Sequence, residues 1–138
     1  MTLREALNEA TQRLASVSDT PRLDAELLLA HALGLSREAL LLGTLDAPQP
    51  AAFDDLVARR AAHEPIGYIT GRRDFWTLSL AVAPGVLIPR PDSETLIEAA
   101  VDYFGSSTRG GHGPSCILDL GTGSGALLLA ALAEWPEA

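Results

Sequence analysis

The chain has 138 residues, of which 47% are hydrophobic and 20% charged, and its formal net charge is −8. These values indicate a folded protein of one average domain or two small units. They argue against a general nucleic-acid binder, because phosphate contacts need a cationic surface. The single cysteine and the absence of an apolar signal region or of a run long enough to span a bilayer predict a cytoplasmic protein without a membrane segment.

Four short amphipathic helices are predicted before residue 63. Thr2 and Glu5 have the spacing of a capping box, Pro21 suits the first turn of a second helix, and Gly34 suits its end. A third helix is expected from Ser36 to about Leu42 and a fourth over about residues 51–62. Their apolar positions recur on one face each, which predicts a small helical bundle without obvious chemistry.

The pattern changes at Glu64. Residues 65–71 are predicted to be irregular or extended, and residues 75–82 alternate between the two faces of a strand. Ala83, Pro84 and Gly85 suit a turn, and residues 86–88 suit a returning strand. We therefore predict a β-hairpin from about Arg73 to Ile88 that links two domains.

A helix is predicted after Pro91, with an apolar face that continues to Phe104 and a stop at Gly105. Residues 106–115 are rich in glycine and serine, which indicates a mobile surface loop. A buried strand over about Cys116–Leu120 then leads into a last helix. The predicted domains are residues 1–63, the hairpin linker of residues 64–90, and residues 91–138.

The turn between the last strand and helix carries glycines at positions 121, 123 and 125. Such a turn brings bare backbone and the positive end of a helix dipole up to a ligand, although a tight turn needs glycine even without one. A phosphate-binding P-loop is excluded, since Ala126 and Leu127 stand where that motif needs Lys and Ser or Thr. The looser dinucleotide-binding pattern is satisfied by Gly121, Gly123 and Ala126.

Asp119, near the end of the predicted strand, argues against a dinucleotide. Its carboxylate would lie near an anionic pyrophosphate, whereas it would attract a cationic ligand such as the sulfonium and amino group of S-adenosylmethionine. The residues alone therefore favour that cofactor.

Two motifs resemble those of known enzymes. Residues 118–125, LDLGTGSG, resemble the first motif of Rossmann-like S-adenosylmethionine-dependent methyltransferases. Residues 87–94, LIPRPDSE, resemble a signature of the HemK family, the release-factor glutamine N5-methyltransferases, with Ser93 in place of the usual Thr. Residues 65–71 with Phe75 and Trp76 are similar to that family's linker, and residues 21–31 to its helical N-terminal domain.

The resemblance implies an α+β fold: an N-terminal helical bundle that recognises the substrate, a β-hairpin linker, and the first strand–helix unit of a Rossmann-like methyltransferase domain. It implies a monomeric enzyme that methylates a glutamine of a peptide chain release factor, with no direct contact to nucleic acid. The expected cofactor is S-adenosylmethionine, bound by Asp119, Gly121, Thr122, Gly123, Ser124 and Gly125. Pro89, Arg90, Pro91 and Glu94 are expected to support the active site.

Two parts of the family's pattern are missing from this sequence. The family has an acidic residue after a second strand, which holds the cofactor ribose, and an Asn-Pro-Pro-Tyr motif, which holds the substrate glutamine. We therefore expect no catalytic residue in this chain and an inactive fragment of such an enzyme. The alternative is a non-catalytic module that binds release factors, for which residues 59–90, with five arginines and two acids, offer a net-positive stretch.

Other chemistry has less support. His31, His63 and His112 have no metal-ligand spacing, so no metal site is expected. Ser93 suits a helix start better than a nucleophile, and Cys116 on a buried strand would be an inert core thiol. Arg90 could pair with Asp92 or Glu94, or reach the active site, and the sequence leaves these alternatives open.

Overall fold

The structure is a computed structural model that describes residues 1–106, 110 and 112–138. Part of the predicted glycine- and serine-rich loop, at positions 107–109 and 111, lies outside the described residues. The chain divides into two compact units, Met1–Thr70 and Gly71–Ala138. None of the described helices is both long and apolar enough to cross a lipid bilayer.

The first unit is a bundle of five helices in the order of the sequence. They are α1 (Leu3–Leu14), α2 (Pro21–Leu33), α3 (Arg37–Leu42), α4 (Phe53–Ala61) and α5 (Ile66–Thr70). The capping box is confirmed, since the Glu5 carboxylate accepts the Thr2 backbone N–H at 2.9 Å and the Thr2 hydroxyl accepts the Glu5 backbone N–H at 3.3 Å. Gly34 ends α2 in a left-handed conformation, as predicted.

The core of this unit is formed mainly by the predicted apolar faces, to which α5 adds a contribution that was not predicted. Its most buried members come from α1, α2, α3, α4 and α5, and they are Leu3, Ala6, Leu7, Ala10, Leu14, Ala25, Leu28, Leu29, Ala30, Leu40, Phe53, Val57 and Ile69. Burial of a leucine-sized side chain stabilises a fold by about 1.5–3 kcal/mol, so this cluster is the main source of the bundle's stability.

The prediction that residues 65–71 are irregular or extended is wrong. Pro65 opens a short helix, since its carbonyl accepts the N–H groups of Tyr68 and Ile69 at 3.0 and 3.1 Å. Ile66 and Ile69, three positions apart, both pack against the helical core. Gly71, at φ +72°, then ends the helix.

The second unit begins with a short antiparallel hairpin of β1 (Arg72–Phe75) and β2 (Leu78–Ala81), in which Phe75 pairs with Leu78. A hairpin is confirmed, but its predicted position is wrong. The hairpin turn lies at Trp76 and Thr77, and residues 86–88 form no strand. The predicted turn at residues 83–85 does form, since the Val86 N–H donates to the Ala83 carbonyl at 3.2 Å, but it follows the hairpin instead of closing it. Trp76 accommodates the hairpin turn with a left-handed φ of +54°.

A 3₁₀ turn (Pro91–Ser93) runs into α6 (Glu94–Phe104), as predicted, and α7 (Ala126–Glu134) closes the unit. The buried core of this unit consists of Phe75, Ile97, Ala126, Ala130, Ala131 and Trp135. The Trp135 indole N–H donates to the Gly105 carbonyl at 2.8 Å. The loop after α6 is thereby tied to the end of α7.

The predicted strand at Cys116–Leu120 is not formed in the part of the chain that the structure describes. Strands are stabilised by pairing, and the two-stranded β1–β2 sheet does not include this segment. Cys116 is exposed, so the predicted core thiol is also wrong. The Rossmann-like unit therefore remains a proposal, whereas a mixed fold of a helical bundle and a small sheet is confirmed.

Candidate functional site

The glycine turn that precedes α7 has the backbone conformation that its sequence predicts. The φ values of Gly121, Gly123 and Gly125 are +71°, +57° and +80°. Residues other than glycine rarely adopt this region of backbone conformation. Around Gly121 and Gly123 the nearest atom to an added Cβ would be 4.0 Å away. These glycines are therefore required by backbone conformation and not by crowding, and the surface above them is open.

The turn is closed by three hydrogen bonds. The Thr122 hydroxyl donates to Asp119 Oδ2 at 2.8 Å, which fixes the carboxylate over the start of the turn. The Gly125 N–H donates to the Thr122 carbonyl at 2.8 Å, and the Leu129 N–H donates to the Gly125 carbonyl at 2.8 Å, which begins the helical ladder. Asp119 and Thr122, both predicted site residues, are thus brought into contact.

Backbone donors remain available on this turn. The N–H groups of Gly121, Thr122, Gly123 and Ser124 donate to no other residue among those described. They lie just before the N-terminus of α7, where the helix dipole is positive. The turn can therefore offer several hydrogen-bond donors to oxygen atoms of a ligand, with one carboxylate beside them for a cationic group.

The second predicted cluster, Pro89–Glu94, lies before and at the start of α6. Pro91 begins the 3₁₀ turn, and the exposed Arg90 guanidinium lies 3.6 Å from Asp92 Oδ2. Glu94 Oε1 accepts the backbone N–H of Trp76 at 2.8 Å. Among the described residues, no hydrogen bond or ion pair joins this cluster to the glycine turn.

Sequence reasoning missed the residues that organise the surroundings of Glu94. The Trp76 indole N–H donates to Glu134 Oε1 at 2.8 Å, and the Ser106 hydroxyl donates to Glu134 Oε2 at 2.7 Å. A single carboxylate near the end of α7 thereby holds the hairpin turn and the loop after α6. Glu134 lies 58 positions from Trp76 in the sequence, and no local motif signals their pairing.

The buried acids of the helical unit have structural partners. Glu26 accepts hydrogen bonds from the Nε atoms of Arg22 and Arg37, each at 2.8 Å. Burial alone would raise the pKa of Glu26, but the hydrogen bonds from both arginines outweigh it, so its pKa lies below the usual value. Asp24 pairs with Arg60 at 2.7 Å. We therefore assign these buried ion pairs a structural role and not a catalytic one.

Metal chemistry finds no support in this geometry. Among residues 1–106, 110 and 112–138, no group of three or more His, Cys, Asp or Glu side chains is arranged to hold an ion. Within the described chain, the glycine turn is therefore the feature best suited to a small ligand.

Comparison with known proteins agrees with the motifs. Residues 5–71 match the family described as the PrmC N-terminal domain. A release factor glutamine methyltransferase of Vibrio cholerae is 46% identical over 99% of this chain and 47% of its own length. Proteins of the same name from Burkholderia pseudomallei and Escherichia coli are 46% and 43% identical, over 91% and 98% of this chain and 43% and 46% of their own lengths.

The family match falls on the helical unit, which is therefore similar to PrmC N-terminal domains over almost its whole length. The resemblance to the HemK family, the release factor glutamine methyltransferases, is confirmed over nearly the whole chain. The chain spans less than half the length of the curated relatives that it matches.

Proposed function

We propose that this chain is the substrate-recognition and cofactor-turn part of an S-adenosylmethionine-dependent methyltransferase that acts on a glutamine of peptide chain release factors. The observation that carries the proposal is the open turn of Gly121, Gly123 and Gly125, with backbone N–H groups that find no acceptor among the described residues and the Asp119 carboxylate beside it. The names of the relatives support the reaction class and the substrate.

The glycine turn can bind both the anionic carboxylate and the cationic amino and sulfonium groups of the cofactor's methionine part. Backbone N–H groups of Gly121–Ser124 donate hydrogen bonds to carboxylate oxygens, and the Asp119 carboxylate attracts the amino and sulfonium groups. The Thr122 hydroxyl keeps that carboxylate oriented. A dinucleotide fits less well, because its pyrophosphate would be repelled by Asp119.

The helical unit would recognise the release factor, and residues 89–94 would support the active site beside the cofactor. We assign residues 1–63 to recognition, residues 64–90 to a linker and residues 91–138 to the beginning of the methyltransferase domain. The protein acts as a cytoplasmic monomer with no direct nucleic-acid partner.

Methylation of a glutamine side chain depends on positioning. The amide nitrogen is a poor nucleophile because its lone pair is delocalised, so catalysis rests on holding the NH₂ group in line with the methyl carbon and accepting its hydrogen bonds. In the HemK family these acceptors belong to an Asn-Pro-Pro-Tyr motif, which the sequence of residues 1–138 does not contain. We infer that this polypeptide alone does not transfer the methyl group.

Cofactor affinity of residues 1–138 is expected to be weak. Each backbone hydrogen bond contributes about 1 kcal/mol net, whereas association costs about 4–15 kcal/mol in lost freedom. Four such donors contribute about 4 kcal/mol, which corresponds to a dissociation constant of about 1 mM before this cost is subtracted, so the affinity should be millimolar or weaker.

Equilibrium dialysis with radiolabelled S-adenosylmethionine tests the proposal. Binding should be saturable in the millimolar range and should be lost in Gly123→Val, because a β-branched residue at φ +57° distorts the turn. Gly85→Val is a matched control, since Gly85 also has a positive φ and open space but lies outside the turn. Release-factor binding without cofactor binding would favour the non-catalytic module instead.

A further inference from the structure

Glu134 lies at an unfavourable place for a carboxylate. It is the last residue of α7, and no basic residue lies in the last turn of this helix. The C-terminal end of a helix dipole is negative and repels a carboxylate, and the Glu134 side chain is also half-buried. An acid at this position therefore costs stability unless its hydrogen-bond partners offset the repulsion and the loss of water.

Two donors from other parts of the second unit bind the two oxygens of this carboxylate. The Trp76 indole N–H donates to Oε1 at 2.8 Å, and the buried Ser106 hydroxyl donates to Oε2 at 2.7 Å. Hydrogen bonds to a charged acceptor are stronger than those between neutral groups. Glu134 therefore joins the end of α7 to the hairpin turn and to the segment that follows α6.

Trp76 extends this connection to the predicted cluster of Pro89–Glu94. Its indole N–H donates to Glu134, while its backbone N–H donates to Glu94 Oε1 at 2.8 Å. The residue also has a left-handed φ of +54°, a conformation that the surrounding structure must hold in place. Trp76 thus bridges a carboxylate of that cluster and a carboxylate of α7.

The other end of α7 is the glycine turn. The Leu129 N–H donates to the Gly125 carbonyl at 2.8 Å, so the helical ladder starts from the last glycine of the turn. At a rise of about 1.5 Å per residue, Glu134 lies about 12 Å along the helix axis from the first residue of α7. A helix is stiff over this length, so a bond at its C-terminal end also limits the movement of the turn at its N-terminal end.

The packing of α7 leaves its position along the helix axis to polar bonds. The buried residues of the helix are three alanines, Ala126, Ala130 and Ala131. Their methyl groups form low ridges, which interlock little with a neighbouring surface. The axial position of α7 is therefore set largely by the bonds of Glu134 and by the Trp135 indole bond at its end.

We propose that Glu134 is a positioning residue of the candidate site: acting through Trp76, it fixes the glycine turn relative to residues 89–94. Among the described residues no direct hydrogen bond or ion pair joins these two parts, whereas α7, Glu134, Trp76 and Glu94 connect them. The functional consequence rests on the proposed function. Methyl transfer needs the cofactor and the groups around the substrate glutamine at fixed distances, and an error of about 1 Å can cost about a hundredfold in rate.

Residual dipolar couplings, measured by NMR on the ligand-free chain, test the positioning itself. In the wild type, the amide couplings of residues 121–125 and of residues 92–94 should fit one common orientation. Glu134→Ala should lose this common fit. Glu134→Gln should keep it, since its amide oxygen accepts from the indole and its NH₂ group donates to the Ser106 hydroxyl. Glu137→Ala, at an exposed site just after α7, is the matched control and should also keep it.

Trp76→Phe tests whether Glu134 acts through the indole. It keeps an aromatic ring but removes the N–H donor, so it should disturb the same couplings as Glu134→Ala. Because both changes break the same bond, the double variant should be no worse than the single variants. Near-ultraviolet circular dichroism of the remaining Trp135 checks the fold, and Trp76→Phe carries the test by itself if Glu134→Ala unfolds the second unit.

Equilibrium dialysis with S-adenosylmethionine gives the functional readout. The dissociation constant should rise about threefold or more in Glu134→Ala and in Trp76→Phe, because a turn that moves more freely must be ordered when the ligand binds. Glu134→Gln and Glu137→Ala should keep the wild-type dissociation constant.

Three outcomes would count against these statements, each in a different way. A common orientation that persists in Glu134→Ala, or additive effects of Glu134→Ala and Trp76→Phe, would overturn the positioning through Trp76. Altered couplings with an unchanged dissociation constant would confine Glu134 to the fold and overturn its role in the site. Absence of cofactor binding by the wild type would refute the proposed function, while the couplings would still decide whether Glu134 positions the turn.

Discussion

Glu94 accepts the backbone N–H of Trp76 at 2.8 Å, which ties the start of α6 to the turn of the β1–β2 hairpin. Trp76 has a left-handed φ of +54°, a conformation that costs a residue with a side chain about 1–2 kcal/mol. Its backbone bond to Glu94 and its indole bond to Glu134 offset that cost. Glu94 is therefore a positioning residue for the hairpin.

Replacing Glu94 by alanine should destabilise the second unit by about 1–3 kcal/mol, because the Trp76 N–H loses its acceptor. Urea unfolding followed by tryptophan fluorescence reports the stability of the second unit alone, because the protein's two tryptophans, Trp76 and Trp135, both lie in that unit. Glu98→Ala, at an exposed site one turn along α6, is the matched control. Equal midpoints for the two variants would show that the bond contributes nothing.

Replacing the two neighbouring arginines of α4 by alanine should change the stability of the helical unit by very different amounts. Arg60 donates to Asp24 at 2.7 Å with both side chains largely buried, at 16% and 10% exposure, and also to the Val17 carbonyl. Arg60→Ala leaves a buried carboxylate unpaired and should cost about 3–5 kcal/mol. Arg59 pairs with Glu64 at the surface, so Arg59→Ala should have little effect. Thermal unfolding followed by far-ultraviolet circular dichroism compares the stabilities of the two variants. Similar losses of stability would contradict the prediction that only the buried Arg60–Asp24 pair contributes strongly.

Acid should weaken the helical unit through Glu26. Its pKa is lowered in the folded state, so its contribution is present above the ordinary carboxyl pKa of 4.5 and is lost as the pH falls through the lower folded value. Stability should therefore decline below about pH 4.5, and the decline should be shallower in Glu26→Gln. Glu9→Gln, at an exposed site, should keep the wild-type slope. Chemical denaturation at a series of pH values measures these slopes, and a wild-type slope in Glu26→Gln would contradict the prediction.

In the loop before residues 116–120, Gly113 lies against the Trp135 indole, so a larger residue at this position should disturb the indole. A Cβ added at Gly113 would overlap Cδ1 of Trp135, so Gly113→Ala must displace either the loop or the indole. The Trp135 bond to Gly105 and its edge contact with Phe104 should weaken. Near-ultraviolet circular dichroism should lose tryptophan signal, whereas Ser115→Ala at an exposed site should not. An unchanged spectrum would show that the loop moves without cost.

The helical unit could be predicted from the sequence because its signals are local. Thr2 with Glu5, Pro21, Gly34 and Ser36 mark helix ends by their own side chains or backbone, and each lies where the structure has a helix boundary. The glycine turn could be predicted for the same reason, since a positive φ is a property of glycine itself.

The errors in the second unit have tertiary causes. Alternation from Phe75 to Val82 conceals the turn at Trp76, because this residue adopts a positive φ through bonds to Glu94 and Glu134, which are distant in the sequence. Ala83, Pro84 and Gly85 form the turn that their sequence predicts, but this turn lies after β2 and does not connect the two strands. The segment 116–120 has a strand's pattern, but a pattern cannot supply the partner that a strand needs.

In the proposed function, residues 1–138 supply the cofactor turn and the recognition unit but not the acceptors for the glutamine amide. The most direct measurement incubates the purified chain with methyl-labelled S-adenosylmethionine and a peptide chain release factor, beside the Vibrio cholerae relative as a positive control. We expect label in the release factor with the relative and none with this chain. Methyl incorporation by this chain that disappears in Gly123→Val would contradict this expectation.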